Sequence, residues 1–211
     1  MRLPPAGDVQ DAFRENGFVL VRSFLDEDES AELAVVAADV IRRSAVHIVR
    51  TSGTDTLDYR VVPGDVIRAE ASPIYALYAS ARLLQWVRAV TLSDHVSHSP
   101  HLRSAVNINC LDTSGQRYPW HTDAVPFTAV LFLTTLPESA GGEFLIRTGP
   151  DSLVTIRPVS GELLLMDGRR CAHAVAPLRE NTRRVTIPMV FPDGPTERPQ
   201  GLDDFLYSPA P

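Results

Sequence analysis

Two residue types that commonly bind metals, His121 and Asp123, lie two positions apart in the segment YPWHTDAVPF. On a strand, residues i and i+2 project to the same side, so this imidazole and this carboxylate can reach one ion. His173, 52 residues later, is the candidate for a third ligand from another strand. Two histidines and one carboxylate on one face of an octahedral ion leave three positions open. The sequence therefore predicts a metal site at which small molecules can reach the ion.

An arginine follows the third candidate ligand, on the next predicted strand. If the metal binds a 2-oxo acid, the far carboxylate of that acid needs a cation, and the planar guanidinium of arginine can hold both of its oxygens. Arg183 lies ten residues after His173. With Arg183 facing inward, Val185 and Ile187 share its side of the strand and Arg184 faces away. The sequence thus predicts Arg183 as the anchor of the oxo acid in an otherwise apolar pocket.

The elements that must position these residues are short strands in the second half of the chain. From Ser104 onwards, short apolar runs alternate with Gly, Pro and Asp, which is typical of a β-sandwich or barrel. The first half is predicted to contain helices at 8–16, 26–45 and 73–90 and strands at 18–24, 46–50 and 57–62. Asp8 is the expected N-cap of the first helix, and Asn16-Gly17 is its expected end.

No linker separates the two halves, so we predict one domain of the α+β class over residues 1–211. It comprises a helix-rich part (1–103), a β-sandwich or jelly-roll core that carries the metal site (104–191) and a Pro-rich tail (192–211). The helices are expected to pack on the β core. The tail is expected to be a surface strap or partly disordered.

The composition narrows the possible classes of function. A net charge of −6 disfavours nucleic acid as a partner. No run of about 18 apolar residues is present, so no membrane span is predicted. The N-terminus has no apolar leader, and the two cysteines form no CxxC pair, which favours the cytoplasm. We expect a monomer or homodimer that acts on a small-molecule substrate.

These residues resemble a known family, the Fe(II)/2-oxoglutarate-dependent dioxygenases, over the range 107–191. The resemblance rests on His121-x-Asp123, His173 and Arg183, and on the flanking segments AGGEFLI, PVSGELLLMDGRRCAHAVAPL and GFVLVRSFLDEDE. It implies a double-stranded β-helix, the jelly-roll or cupin-like core. It also implies Fe(II) on the three ligands as the catalytic centre, with 2-oxoglutarate and dioxygen as co-substrates.

The resemblance leaves the second anchor of 2-oxoglutarate open. Many members have a hydroxyl residue two positions after the arginine, and Val185 stands at that position here. Thr128, Thr186 and Asn109 are the candidates to replace it.

The resemblance also implies a reaction. Members couple the decarboxylation of 2-oxoglutarate to the oxidation of an unactivated C–H bond and release succinate and carbon dioxide. In the halogenating branch a small residue replaces the carboxylate ligand and frees a position for chloride, so Asp123 predicts oxygenation rather than chlorination. Desaturation and cyclisation stay open beside hydroxylation, because the three outcomes differ only after hydrogen abstraction.

The chain is short for the family, and its C-terminal half is similar to small hydroxylases of free amino acids and natural-product intermediates, so a small polar metabolite is the expected substrate. Asn107, on the strand that leads to the metal site, and Arg117, Tyr118 and Trp120, on a loop before the first ligand, are candidate substrate contacts. Two alternatives stay open. One is a prolyl-hydroxylase-like or demethylase-type oxygenase of macromolecules, and the other is a non-catalytic cupin-like binding protein.

Overall fold

The strands of the computed structural model, which describes residues 1–52, 55–149, 152–195 and 201–207, form two antiparallel sheets. The strands are β1 (Phe18–Val21), β2 (Val46–Ser52), β3 (Asp55–Val62), β4 (Ile108–Leu111), β5 (Tyr118–His121), β6 (Phe127–Phe132), β7 (Phe144–Gly149), β8 (Ser152–Ile156), β9 (Leu163–Asp167), β10 (His173–Val175) and β11 (Arg184–Phe191). The larger sheet has the order β1-β9-β6-β11-β4-β3-β2, and the smaller sheet has the order β5-β10-β7-β8.

Helices cover the outer face of the larger sheet. They are α1 (Gly7–Asn16), α2 (Glu27–Ser44), α3 (Gly64–Glu70), α4 (Ser72–Tyr78), α5 (Ala81–Thr91) and α6 (Leu102–Ala105). The helix α7 (Leu202–Tyr207) packs instead with the core between the two sheets. A capping box starts α2, since the Asp26 carboxylate accepts from the Glu29 amide and the Glu29 carboxylate accepts from the Asp26 amide. No helix within the described ranges is both long and apolar enough to cross a bilayer.

Alternation along the central strands divides the apolar residues between two cores. On β6, Ala129 and Leu131 pack with the helices, whereas Val130 and Phe132 pack against the smaller sheet. All six residues of this strand are buried, so both faces of the larger sheet are covered. The space between the two sheets therefore holds one of the cores and, at one end, the cavity described below.

Several predicted boundaries differ from the structure. Ala6, not Asp8, occupies the N-cap of α1, although the helix does end at Gly17, which has a left-handed φ of 80°. The first strand ends at Val21 because its pairing with β9 covers only four residues. The helical region predicted at 73–90 is divided into α4 and α5.

Two segments have more structure than the sequence predicted. Residues 118–120, expected in a loop, belong to β5, which pairs with β10. In the tail, α7 is ordered and Tyr207 is buried at 4% exposure. Residues 196–200 and 208–211 of the tail lie outside the described residues.

Close packing of α3 on α6 leads to a first testable prediction. A Cβ at Gly64 would meet the carbonyl oxygen of Leu102 and lie 2.8 Å from that of Val106. We expect Gly64→Ala to lower the free energy of unfolding by about 1–3 kcal/mol, because the backbone must move to make room. Urea denaturation measures this change.

The matched control is Gly7→Ala, where a Cβ would meet nothing within 4 Å. This change is expected to stay within about 0.5 kcal/mol of the unmodified protein. Equal stabilities of the two variants would show that α3 and α6 are not in close contact.

Candidate metal centre

The three predicted metal ligands come together between the two sheets. One ligand atom from each of His121, Asp123 and His173 lies within 4.8 Å of the others. The two histidines are register partners on β5 and β10, with ring centroids 4.2 Å apart. The Asp123 Oδ1 atom lies 3.7 Å from Nε2 of His173 and 3.9 Å from Nε2 of His121. This spacing suits one ion bound by all three side chains.

The backbone sets both imidazoles in the tautomer that a metal needs. His173 Nδ1 donates to the carbonyl oxygen of Cys171 at 2.9 Å, and His121 Nδ1 donates to that of Pro119 at 2.8 Å. A carbonyl can only accept, so Nδ1 carries the proton and Nε2 keeps its lone pair. In both rings Nε2 is the atom that faces Asp123. Such outer contacts orient histidine ligands and raise their basicity.

The two histidines differ in their exposure to solvent. The His173 side chain is 5% exposed and stacks on Phe144, with ring centroids 5.4 Å apart and planes 14° apart. Burial lowers the pKa of His173, which favours the neutral imidazole that binds metals. The His121 side chain is 42% exposed. The cluster is therefore closed behind His173 and open beside His121.

The carboxylate ligand is held from two sides. The Thr128 hydroxyl donates to Asp123 Oδ2 at 2.6 Å, and the Asp123 amide donates to the Gly168 carbonyl at 2.8 Å. A Cβ at Gly168 would lie 2.6 Å from the Asp123 Cβ, so no side chain fits there. The structure thus places Thr128, predicted as a 2-oxoglutarate contact, against the metal ligand. Gly168 was not predicted, because only the folded chain brings it to Asp123.

A cavity of about 1220 Å³ extends from the metal ligands between the sheets. Its walls come mainly from the β2–β3 hairpin, β4, β5, β6, β11 and α7, with further side chains from β7, β9, β10 and the segment before β4. On β11 the side chains of Arg184 and Thr186 line it, and Asn109 of β4, the register partner of Thr186, lies beside them.

The prediction that Arg183 faces inward and Arg184 outward is wrong. Arg184 is buried at 2% exposure and lines the cavity, whereas Arg183 is exposed. The two apolar neighbours that were expected in the pocket, Val185 and Ile187, pack in the core beneath the helices. Both sides of β11 are buried, so an apolar side chain does not show which side of the strand faces the cavity.

The buried arginine offers an unused donor to the cavity. Arg184 Nε donates to the Gly142 carbonyl at 2.9 Å, while Nη2 is buried and has no hydrogen-bond partner among the described residues. Burial lowers the pKa of Arg184 to about 10, so the guanidinium stays charged at neutral pH. A buried cation needs an anion. Arg184 therefore fits the far carboxylate of a 2-oxo acid, as the three ligand atoms fit a divalent metal.

The family pattern has a hydroxyl residue two positions after the arginine. Counted from Arg184, that position is Thr186. Thr186 lies on the same side of β11 and lines the cavity. The departure at Val185 concerns Arg183, which is exposed and lies outside the cavity lining. Thr186 was among the three candidates for this second anchor, and its position two residues after the buried arginine favours it.

Three of the four candidate substrate contacts line the cavity, and one does not. Asn107, Tyr118 and Trp120 line the cavity, whereas Arg117 is half-buried and lies outside the cavity wall. The Arg147 guanidinium lies over the Trp120 ring, 4.2 Å from its centroid. Trp120 therefore has one face against this cation at the exposed end of β5.

Two tyrosines pack together on the cavity wall. The rings of Tyr118 and Tyr59 have centroids 4.9 Å apart, and both residues line the cavity. Burial raises the pKa of Tyr118 well above its usual value, so its side chain is a neutral phenol at physiological pH.

The glycine that supports the carboxylate ligand gives a second testable prediction. Gly168→Ala is expected to push Asp123 away from the histidines and to weaken metal binding by about 10–100-fold, as loss of an outer contact commonly does. Calorimetric titration of the apo-protein with Co(II) measures the affinity. Gly149→Ala is the control, since a Cβ there makes only an ordinary contact at 3.8 Å. Unchanged affinity in Gly168→Ala would contradict this account of Asp123.

The two adjacent arginines give a third prediction. Arg184→Gln removes the buried cation, so the affinity for 2-oxoglutarate is expected to fall by about 30-fold or more. Arg183→Gln changes an exposed side chain and should leave that affinity within about twofold. Anaerobic titration of the metal-loaded variants with 2-oxoglutarate distinguishes them. A larger loss in Arg183→Gln would restore the original assignment.

Comparison with protein families agrees with this geometry. The model described as Halogenase D matches residues 6–148. The model described as the 2OG-Fe(II) oxygenase superfamily matches residues 106–191, which include all three metal ligands. No curated protein matches the chain.

Solved structures show the same fold at low sequence identity. A 2OG-Fe(II) oxygenase family oxidoreductase from Burkholderia pseudomallei is 18% identical, with a TM-score of 0.70 over 92% of this chain and 94% of that one. The epimerase SnoN, in complex with Fe3+, alpha ketoglutarate and nogalamycin RO, is 16% identical, with a TM-score of 0.71 over 92% and 90%. A prolyl-4-hydroxylase from Pseudomonas putida is 18% identical, with a TM-score of 0.68 over 90% and 100%.

These comparisons confirm the predicted double-stranded β-helix. With the His–Asp–His cluster, they also confirm Fe(II) as the cofactor and 2-oxoglutarate and dioxygen as the co-substrates. The chain belongs to the Halogenase D family and to the 2OG-Fe(II) oxygenase superfamily.

Proposed function

We propose that the protein hydroxylates an unactivated C–H bond of a small polar metabolite, an amino acid or a natural-product intermediate. The observation that carries this proposal is the metal triad completed by Asp123, in a cavity whose wall also holds the buried cation of Arg184. When bound, Fe(II) and 2-oxoglutarate supply the oxidising power that a C–H bond requires. The chain supplies binding, orientation and the exclusion of water.

Each residue of the site has a defined task in this proposal. His121, Asp123 and His173 would hold the metal and leave coordination positions open to small molecules. Arg184 and Thr186 bind the far carboxylate of 2-oxoglutarate and so direct its oxo-acid end towards the metal. Both anchor residues are on one rigid strand in a buried position, which limits the orientations that the co-substrate can take.

The carboxylate ligand supports oxygenation although one matched family model is described as a halogenase. Asp123 fills the ligand position that a halide would need on the metal. Its orientation is set by the Thr128 hydroxyl and the Gly168 carbonyl, and the lack of space at Gly168 keeps it close to the histidines. These contacts keep the carboxylate beside the two histidines, where it would bind the metal.

The cavity supports a small substrate. Its volume of about 1220 Å³ is shared between the co-substrate and the substrate, and a typical small-molecule site occupies roughly 300–1,000 Å³. Polar side chains such as Asn107 and Asn109 occur among apolar ones on its walls. The net charge of −6 adds no attraction for a nucleic acid.

The cofactor pair is tested first by anaerobic titration of the apo-protein with Fe(II) and 2-oxoglutarate. A visible metal-to-ligand charge-transfer band is expected in the unmodified protein and is expected to be absent in His121→Ala, which lacks one metal ligand. Absence of the band from the unmodified protein at every concentration would favour a binding protein over an oxygenase.

The reaction is tested next with a panel of L-amino acids, their N-acyl derivatives, a proline-containing peptide and a methylated oligonucleotide, in isotopically labelled dioxygen and added chloride. Succinate release with an amino acid, and one labelled oxygen atom in the product, are expected. A chlorinated product would contradict the role assigned to Asp123. Turnover with the peptide or the oligonucleotide alone would replace the small-metabolite proposal.

A further inference from the structure

The C-terminal helix supplies part of the cavity wall. Leu202 and Leu206 of α7 both line the cavity. They are four residues apart, so they share one face of the helix. Leu57 and Val49 of the β2–β3 hairpin are further apolar residues of the lining. The cavity therefore has an apolar wall that the jelly-roll strands do not provide.

This helix is fastened to the rest of the fold at its last turn. Tyr207 is 4% exposed, and its hydroxyl donates to Asn107 Oδ1 at 2.8 Å. The Arg103 guanidinium lies 5.1 Å from the centroid of the Tyr207 ring and binds Asp65 at 2.9 Å. On the other side, the Tyr59 hydroxyl donates to the Leu206 carbonyl at 3.5 Å. Contacts from Asn107, Arg103 and Tyr59 thus hold a helix of six residues in place.

The hydrogen bond between Tyr207 and Asn107 also determines which polar group Asn107 presents to the cavity. Asn107 lines the cavity, and its amide oxygen is engaged by Tyr207. An amide whose oxygen is engaged has its NH2 group left to offer, which is a donor. A ligand in this part of the cavity therefore meets an amide donor at Asn107 and aliphatic side chains on α7.

We propose that α7 is the specificity cap of the substrate chamber, with Leu202 and Leu206 as the residues that limit substrate length. The substrate class that fits is a small metabolite with an aliphatic chain and a hydrogen-bond acceptor close to that chain. The identification of the ligand as a substrate rests on the proposed function. The position of the apolar wall does not depend on the proposed function.

The wall is tested without any substrate by loading the protein with Co(II) and adding 1-alkylimidazoles of increasing chain length. Imidazole binding to the metal changes the visible spectrum of Co(II). In the unmodified protein, affinity is expected to fall by about tenfold or more at the chain length that first meets α7. In Leu202→Ala and Leu206→Ala this fall should move to longer chains, because each change removes aliphatic side-chain volume from the wall.

The matched control is Leu153→Ala on β8, where the leucine is 56% exposed and lies outside the cavity lining. Its length limit should equal that of the unmodified protein. If neither α7 variant moved the limit, or if Leu153→Ala moved it equally, the proposal would be overturned.

The fastening is tested by Tyr207→Phe, which keeps the buried ring and removes only the hydroxyl. Amide hydrogen exchange in residues 201–207 is expected to be about fivefold faster, as loss of one hydrogen bond allows. Tyr75→Phe, on a half-buried tyrosine of α4, should leave this segment unchanged. Equal exchange in Tyr207→Phe and the unmodified protein would show that Asn107 does not hold the cap.

Straight-chain L-amino acids of increasing length then connect the cap to catalysis. In Leu206→Ala, KM for the longer chains is expected to fall relative to KM for the shorter ones. If the unmodified protein releases no succinate with any of them, the proposed substrate class fails. The alkylimidazole limits still decide whether α7 is the wall.

Discussion

The register between β5 and β10 is the constraint on which the site depends. It makes His121 and His173, 52 residues apart in the chain, direct partners in one sheet. Each ring is then fixed by a backbone carbonyl two residues earlier in its own segment, that of Pro119 or Cys171. Strand pairing sets the distance between the two ligands, and local backbone contacts set which nitrogen they present. The metal site is therefore a property of the sheet rather than of flexible side chains.

Around this pair, the larger sheet performs two structural tasks at once. One of its faces packs with the helices, and the other provides the Thr128 hydroxyl that binds Asp123 and the part of the cavity wall that holds Arg184. The helices contribute no group to the metal cluster, whose two histidines lie on β5 and β10 of the smaller sheet. They bury one side of the larger sheet, whose other side carries Thr128 and Arg184. Support from a strand that is covered on both faces, such as β6, is more rigid than support from loops alone.

Much of this arrangement could be predicted from the sequence, because it depends on local patterns. The pair His121-x-Asp123, a distant histidine and punctuated apolar runs identified the ligands and the jelly-roll class. Alternation shows which residues share a side of a strand, but it does not show which side faces which layer. On β11 both sides are buried, so the sequence does not show whether Arg183 or Arg184 faces the cavity. The position of Val185 beneath the helices shows that it is Arg184.

Two other features could not be predicted from local sequence patterns, for a different reason. A helix as short as α7 has little stability of its own, and it is ordered because Tyr207 packs between the sheets and binds Asn107. The steric role of Gly168 likewise exists only when Asp123 lies against it. Both features are consequences of contacts between segments far apart in the chain.

The alternation on β11 has a consequence for how the chain folds. A slip of this strand by one residue would exchange its two sides, which would place Arg184 beneath the helices and Val185 in the cavity. An unpaired guanidinium among aliphatic side chains costs several kcal/mol, so the slipped pairing is strongly disfavoured. The buried cation of Arg184 therefore also selects the register of β11 during folding, because the neighbouring register is disfavoured before any ligand binds.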